Sequence, residues 1–151
     1  TKEEKRLFLR QEIKKINVQL ASAAKEVGVI ENIDYAIFQD HGYKGLYGGL
    51  SNKDIHLKKG LKPSQKILDH MGSTELAANL FRATQTEEIL ISEKNSIKSK
   101  NEANFIHHEI GKKVRKAIQD IGGTMPENLP AEESIKKIET KIKKIKNKIN
   151  C

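Results

Sequence analysis

The chain has 151 residues, with 28 Lys+Arg against 20 Asp+Glu and a net charge of +8, which is enough for one basic domain and too little for a multidomain array. Hydrophobic residues make up 36% and charged residues 32%, with no Trp, so the core is lean and a thick double-sheet architecture is excluded. No apolar run reaches the about 18 residues of a membrane span, no secretory signal opens the chain, and one cysteine, Cys151, excludes a disulfide framework or a thiolate-built zinc site.

Residues 2–27 carry Leu9, Ile13, Ile16, Leu20 and Ala24 at spacings of three and four, one stripe of a helix. Thr1 is placed to cap it, Glu3 and Glu4 suit its positive end, and Gly28 lies just past its last turn. A short helix follows over residues 31–41, with Ile33, Ile37 and Phe38 on one face and Gly42 as its stop. Residues 42–50 hold four of the ten glycines, which predicts a loop containing Tyr43 and Tyr47. Ser51 or Asn52 caps a brief helix ending at Gly60, and Pro63-Ser64 opens another that Gly72 stops.

Ser73-Thr74-Glu75 starts a helix with small residues on one face, and residues 102–121 form a second amphipathic helix closed by Gly122-Gly123. Pro126 and Pro130 mark a turn-rich connector. The final helix places Ile135, Ile138, Ile142, Ile145 and Ile149 at spacings of three and four among lysines, a heptad seam. Such a narrow seam needs a partner helix, and the stripe from Leu9 to Leu20 is the obvious one. The expectation is an all-α fold of six to seven helices, with a compact middle and longer terminal helices forming a coiled-coil-like pair. Residues 1–130 then form a helical domain with an N-terminal arm helix, and residues 131–151 a C-terminal amphipathic heptad helix.

The basic excess is uneven. Residues 43–72 hold six lysines, Lys44, Lys53, Lys58, Lys59, Lys62 and Lys66, against Asp54 and Asp69. Lysines around glycine-rich backbone suit phosphate oxygens, and tyrosines between basic residues suit stacking on unpaired bases. A second cluster is Lys112, Lys113, Arg115 and Lys116. The expected nucleic-acid-binding set is therefore Tyr43, Lys44, Tyr47, Lys53, Lys58, Lys59, Lys62, Lys66, Lys112, Lys113, Arg115 and Lys116. The competing reading packs Tyr43, Leu46 and Tyr47 on the core and leaves lysines on solvated faces, which is also the reading of the Lys-rich tail.

Catalytic chemistry is poorly supported. The five histidines form no metal-binding helix motif, and His107 and His108 point about 100° apart on a helix. A metal site from Asp40, His41, His56 and His70 has no recognised spacing. The glycine run lacks a Gly-Lys-Ser/Thr ending and a preceding strand, and no nucleophile elbow is present. Residues 61–82 share the outline of a helix-turn-helix, a pattern common among helical proteins.

Longer strings are more specific. Tyr35-Ala36-Ile37-Phe38-Gln39, the glycine-tyrosine run 42–50, Lys53-Asp54-Ile55-His56, residues 65–87 and Gly122-Gly123-Thr124-Met125-Pro126-Glu127 resemble the C-terminal region of the DNA-damage-inducible protein D family. The resemblance covers about residues 7–139, is densest over 42–87, and departs in the Ile/Lys tail after Ile138. Full-length members carry an N-terminal domain similar to viral and phage BRO-type or antirepressor domains, which is not found in these residues, and a start at Thr1 fits a fragment. The resemblance implies a place in the bacterial SOS response and modulation of the RecA recombinase on single-stranded DNA. It carries over no catalytic residues.

The combined expectation is a soluble, cytoplasmic, non-enzymatic regulatory module with no cofactor and no metal. Its expected partner is single-stranded DNA or a RecA–DNA filament, not a membrane, with a homodimer formed through the terminal helices. The alternatives are a metal-dependent nuclease using Asp54, His56, Asp69 or His70, and a purely oligomerising domain.

Overall fold

The computed structural model describes residues 1–150. Thr1 Oγ1 accepts the Glu4 amide at 3.1 Å while the Glu4 carboxylate returns to the Thr1 amine at 3.3 Å. This reciprocal cap starts α1, Lys2–Lys25.

The expected stop at Gly42 does not occur: α2 runs Asn32–Leu46, through Gly42 and Gly45. Both glycines face α5, Lys100–Ile121, where the two backbones touch. A Cβ on Gly111 of α5 would lie 2.7 Å from the Gly42 carbonyl oxygen and 2.8 Å from the Leu46 amide, and one on Gly42 would enter the His107 ring. Each helical glycine costs about 1 kcal/mol in propensity, a penalty that the close helix contact offsets. The expected nine-residue loop shrinks to the turn at Tyr47–Leu50, where Gly49 takes φ +105°.

The helix α3, Asn52–Lys58, starts with a reciprocal cap between Ser51 and Asp54. The helix expected from Pro63 is reduced to one 3-10 turn, Ile67–His70. His56 Nε2 lies 2.9 Å from the carbonyls of both Lys62 and Gln65, and the Gln65 side chain accepts the Lys62 amide at 2.7 Å. These bonds hold the preceding segment in turns, so residues 61–82 contain no helix-turn-helix. Next come α4, Ser73–Ser92, then α5, which Gly122 ends at φ +86°. A 3-10 turn at Pro126–Asn128 leads to α6, Ile135–Ile149. The described residues are thus all-α, with six α-helices and no strand.

The helix α1 packs along α4, and α2 along α5. One core cluster joins Ile16, Leu20, Ala24, Phe38, Ala83 and Leu90; the other joins Ile13, Tyr43, Leu46, Tyr47, Met71 and Leu76. The α1 stripe is therefore consumed inside the body and is not available to α6. Instead Ile135 and Ile138 are buried beside the start of α1 and the 3-10 turn at Ile67–His70, whereas Ile145 and Ile149 are 56% and 74% exposed. The expected coiled-coil pair is replaced by a helix anchored at its first turns. The Glu132 amide donates to the His70 carbonyl at 2.7 Å, which ties the segment leading into α6 to the body. No helix among the described residues is long and apolar enough to cross a membrane.

Candidate nucleic-acid interface

Tyr43 and Tyr47 lie one turn apart on the inner face of α2 and its C-terminal end, and they are only 4% and 1% exposed. The Tyr47 hydroxyl donates to Glu75 Oε2 at 2.5 Å and accepts from Asn79 Nδ2 at 3.0 Å. The Arg82 guanidinium carbon lies 5.1 Å from the centre of the Tyr43 ring. Burial pushes both phenols up, and the neighbouring Glu75 carboxyl adds to this at Tyr47. The rings therefore do not stack on bases as expected, because the core packs around them.

Two of the expected cations are committed to partners within the fold. Lys59 Nζ sits 2.9 Å from Glu75 Oε1, donates to the Pro126 carbonyl at 2.9 Å and also bonds the Leu129 carbonyl, and its side chain is 6% exposed. It ties the end of α3 to α4 and to the 126–129 connector. Burial raises the Glu75 pKa, against the lowering effect of its bonds from Tyr47 and Lys59. Arg115 forks onto Glu127, with both N–O distances 2.8 Å, and donates to the Leu46 carbonyl at 3.1 Å. Neither Lys59 nor Arg115 is free to meet a phosphate.

The remaining lysines stay outside. Lys44, Lys53, Lys58, Lys62 and Lys66 are exposed, and none lies within 4.0 Å of a carboxylate among the described residues. The end of α2, the helix α3 and the turns after it carry them. On α5, Lys112 approaches Glu109 at 3.6 Å and Lys116 approaches Asp120 at 3.3 Å, while Lys113 is exposed.

A cleft of about 610 Å³ opens among α1, α2, α3 and residues 63–68, with Lys53 in its wall. Asn17, Gln39, Asp40, Asn52, Lys53 and His56 supply its polar wall. Asp40 Oδ1 accepts the Asn52 amide at 2.8 Å, linking α2 to the start of α3. Asn17 and Gln39 escape a reading based on charge runs, since they are neutral residues set singly among apolar helix positions.

The acids and histidines weighed for metal or nuclease chemistry are dispersed. Asp54 caps α3, Asp69 pairs with Arg10 at 3.1 Å, His70 Nδ1 meets the Glu132 carbonyl at 3.0 Å, and His41 lies edge-on to His108. Among the described residues, no three His, Cys, Asp or Glu side chains converge on a point that would hold a metal ion. His107 is held well below the ordinary histidine value by burial and then by Arg82. Its partner Arg82 is 25 residues away in the chain, so no local spacing signals the pair.

Residues 1–138 match the family model for the DinD C-terminal domain. The chain is 61% identical over 142 residues to the DNA damage-inducible protein D of Escherichia coli strain K12, covering 93% of this chain and 51% of that protein. It thus spans about half the length of the curated relative it matches. No solved structure matches it. The chain belongs to the DinD C-terminal domain family.

Proposed function

We propose, with that family membership as premise, that this domain is a non-enzymatic module of the DNA-damage response that binds single-stranded DNA, free or carried in a RecA filament. The observation supporting this reading is the set of five exposed lysines, Lys44, Lys53, Lys58, Lys62 and Lys66, carried without carboxylate partners on the end of α2, on α3 and on the turns after it. Lysines neutralised within the fold release no counterions when a phosphate arrives, whereas unpaired ones make binding favourable and salt-dependent. Lys113, Lys112 and Lys116 on α5 offer a second, weaker patch, because two of the three already face an acid.

The test is fluorescence anisotropy with a labelled single-stranded oligonucleotide across a salt series, with and without RecA. The log K against log salt slope is about −0.7 per phosphate contact for single strands. A Lys53→Ala, Lys58→Ala, Lys62→Ala variant is expected to flatten that slope by about 2. Equal slopes in the variant and the parent would remove this surface as the site.

A further inference from the structure

Two apolar features of the described residues stay uncovered, and they match each other. One is the seam of α6 beyond its anchored turns, where Ile142 is half-buried and Ile145 and Ile149 are exposed. The other is a groove of about 380 Å³ between α4 and the last two turns of α5, with Leu129 of the connector also in its wall. Its α4 side runs from Thr74 to Phe81 and its α5 side from Val114 to Ile121, with Phe81 and Ile121 exposed. No charged residue lines it.

We propose that this groove receives the outer half of α6 from a second copy of the chain, the two copies exchanging these helices reciprocally. Length, side-chain size and charge select that occupant. The seam from Ile142 to Ile149 covers the same seven-residue step as each wall, about 10 Å of helix at 1.5 Å per residue. Ala77, Ala78 and Ala117 leave little side chain between the walls, so a third helix can approach while its isoleucines fill the space. The charges are opposite. The helix α6 carries seven lysines and one glutamate, whereas α4 carries Glu75, Glu87 and Glu88 against a single cation, Arg82, which is buried. Glu88 is exposed two turns beyond Phe81 on the same face, and neither it nor Glu87 has a cation within 4.0 Å among the described residues. On the α5 side Asp120 is paired with Lys116 at 3.3 Å and Lys113 is exposed, so the lysines of an incoming α6 find their acids along α4. The chain's own α6 is held by Ile135 and Ile138 beside the start of α1 and the turn at Ile67–His70 with its seam uncovered, so the occupant comes from another molecule. Each copy has one seam and one groove. A two-fold axis satisfies both and closes the pair instead of propagating a filament. Two such contacts are small beside the about 1,200–2,000 Å² of a standard interface, so the dissociation constant is expected on the order of 10 µM.

The experiment measures mass by sedimentation equilibrium, without DNA and at concentrations on both sides of that value, for the parent, a seam variant (Ile145→Lys, Ile149→Lys) and a groove variant (Phe81→Lys, Ile121→Lys). All four side chains are exposed, so both variants are expected to keep the parental melting temperature. Ile121→Ser alone, at the last residue of α5, replaces the groove variant if the double substitution melts early. The parent is expected to reach twice the monomer mass and each variant alone to stay monomeric. A fluorescently labelled groove variant, which keeps its seam, is expected to gain mass when excess seam variant, which keeps its groove, is added. A monomeric parent overturns the exchange. A groove variant that dimerises like the parent shows α6 pairing with α6 and overturns the groove as its seat. A seam variant that dimerises, or a mixture that gains no mass, overturns the seam as the occupant.

Discussion

The Arg82 guanidinium donates to Nε2 of His107, and both side chains are closed to solvent, Arg82 at 2% and His107 at 0% exposure. His107 Nδ1 donates to the Phe38 carbonyl at 2.8 Å, so the imidazole is neutral with its proton on Nδ1. Arg82 reaches Asn79 Oδ1 at 3.3 Å and the face of Tyr43, and has no carboxylate partner. This buried arginine, bonded to a neutral imidazole and an amide and set over an aromatic ring while its Nε has no partner, joins α2, α4 and α5 at one point. It also lowers the His107 pKa, because a protonated ring would face a second buried cation.

The pH dependence follows from that pair. The ordinary histidine value is 6.5, and His107 in the fold lies well below it. Below pH 6.5 the unfolded chain takes up a proton that the folded chain refuses, so stability falls by about 1.4 kcal/mol per pH unit until the folded value is reached. Glu75, whose pKa is raised by burial, acts oppositely: its contribution is present below its ordinary value and is lost as pH rises through the folded one. Urea unfolding at pH 7.5, 6.5 and 5.5 is expected to show His107→Gln with a shallower loss toward acid than the parent. Parallel pH profiles would assign the acid sensitivity elsewhere.

The α2–α5 contact predicts an effect opposite to helix propensity. Alanine favours a helix by about 1 kcal/mol over glycine, yet Gly111→Ala places a methyl group 2.7 Å from the Gly42 carbonyl. Overpacking of this kind costs about 1–3 kcal/mol, so Gly111→Ala and Gly42→Ala are expected to lower the urea midpoint. A raised midpoint would mean that the two helices stand farther apart.

Tyr47 separates packing from binding. Removing the ring from the core is expected to cost Tyr47→Ala about 3–5 kcal/mol, the scale of other buried aromatic truncations. Its DNA affinity per folded molecule is expected to match the parent. An intact melting curve with reduced affinity would restore a base-stacking role.

Lys58 and Lys59 are neighbours in sequence with opposite expectations. Lys59→Ala leaves Glu75 buried beside an empty site and is expected to destabilise by about 3 kcal/mol, as when one partner of a buried ion pair is deleted. Lys58→Ala is expected to leave the melting temperature within about 1 °C and to weaken DNA binding at low salt. Thermal melts and anisotropy on the two variants check the pair together.

The outer half of α6 presents Ile145 and Ile149 to solvent on a lysine-rich helix. A dimer through this end is expected to dissociate in an Ile145→Lys, Ile149→Lys variant with unchanged folding of the body, measured by sedimentation equilibrium. Ile138→Lys is a poor probe of association, because Ile138 is 2% exposed and its substitution disturbs the body itself. A monomeric parent at high concentration removes the dimer.

Local sequence was sufficient wherever an element is decided by neighbours in the chain. The Thr1–Glu4 cap, the stripe of α1, the Gly122 stop of α5 and the seam of α6 depend on spacings of three or four residues and on end signals, and the all-α class follows from them. The 65–87 string also identified the family. What the tertiary structure decided are the outcomes set by contacts far apart in sequence. Gly42 and Gly45 read as helix breakers by propensity but become helix residues, because α5 approaches too closely for any side chain. Tyr43, Tyr47, Lys59 and Arg115 have the composition of a nucleic-acid surface, yet Glu75, Asn79, Arg82 and Glu127 engage them within the fold. Charge and aromaticity count residues without assigning them a side. A lysine at the end of a seven-residue helix points to solvent or to a buried carboxylate according to where α3 sits relative to Glu75 of α4, and only the assembled fold sets that position.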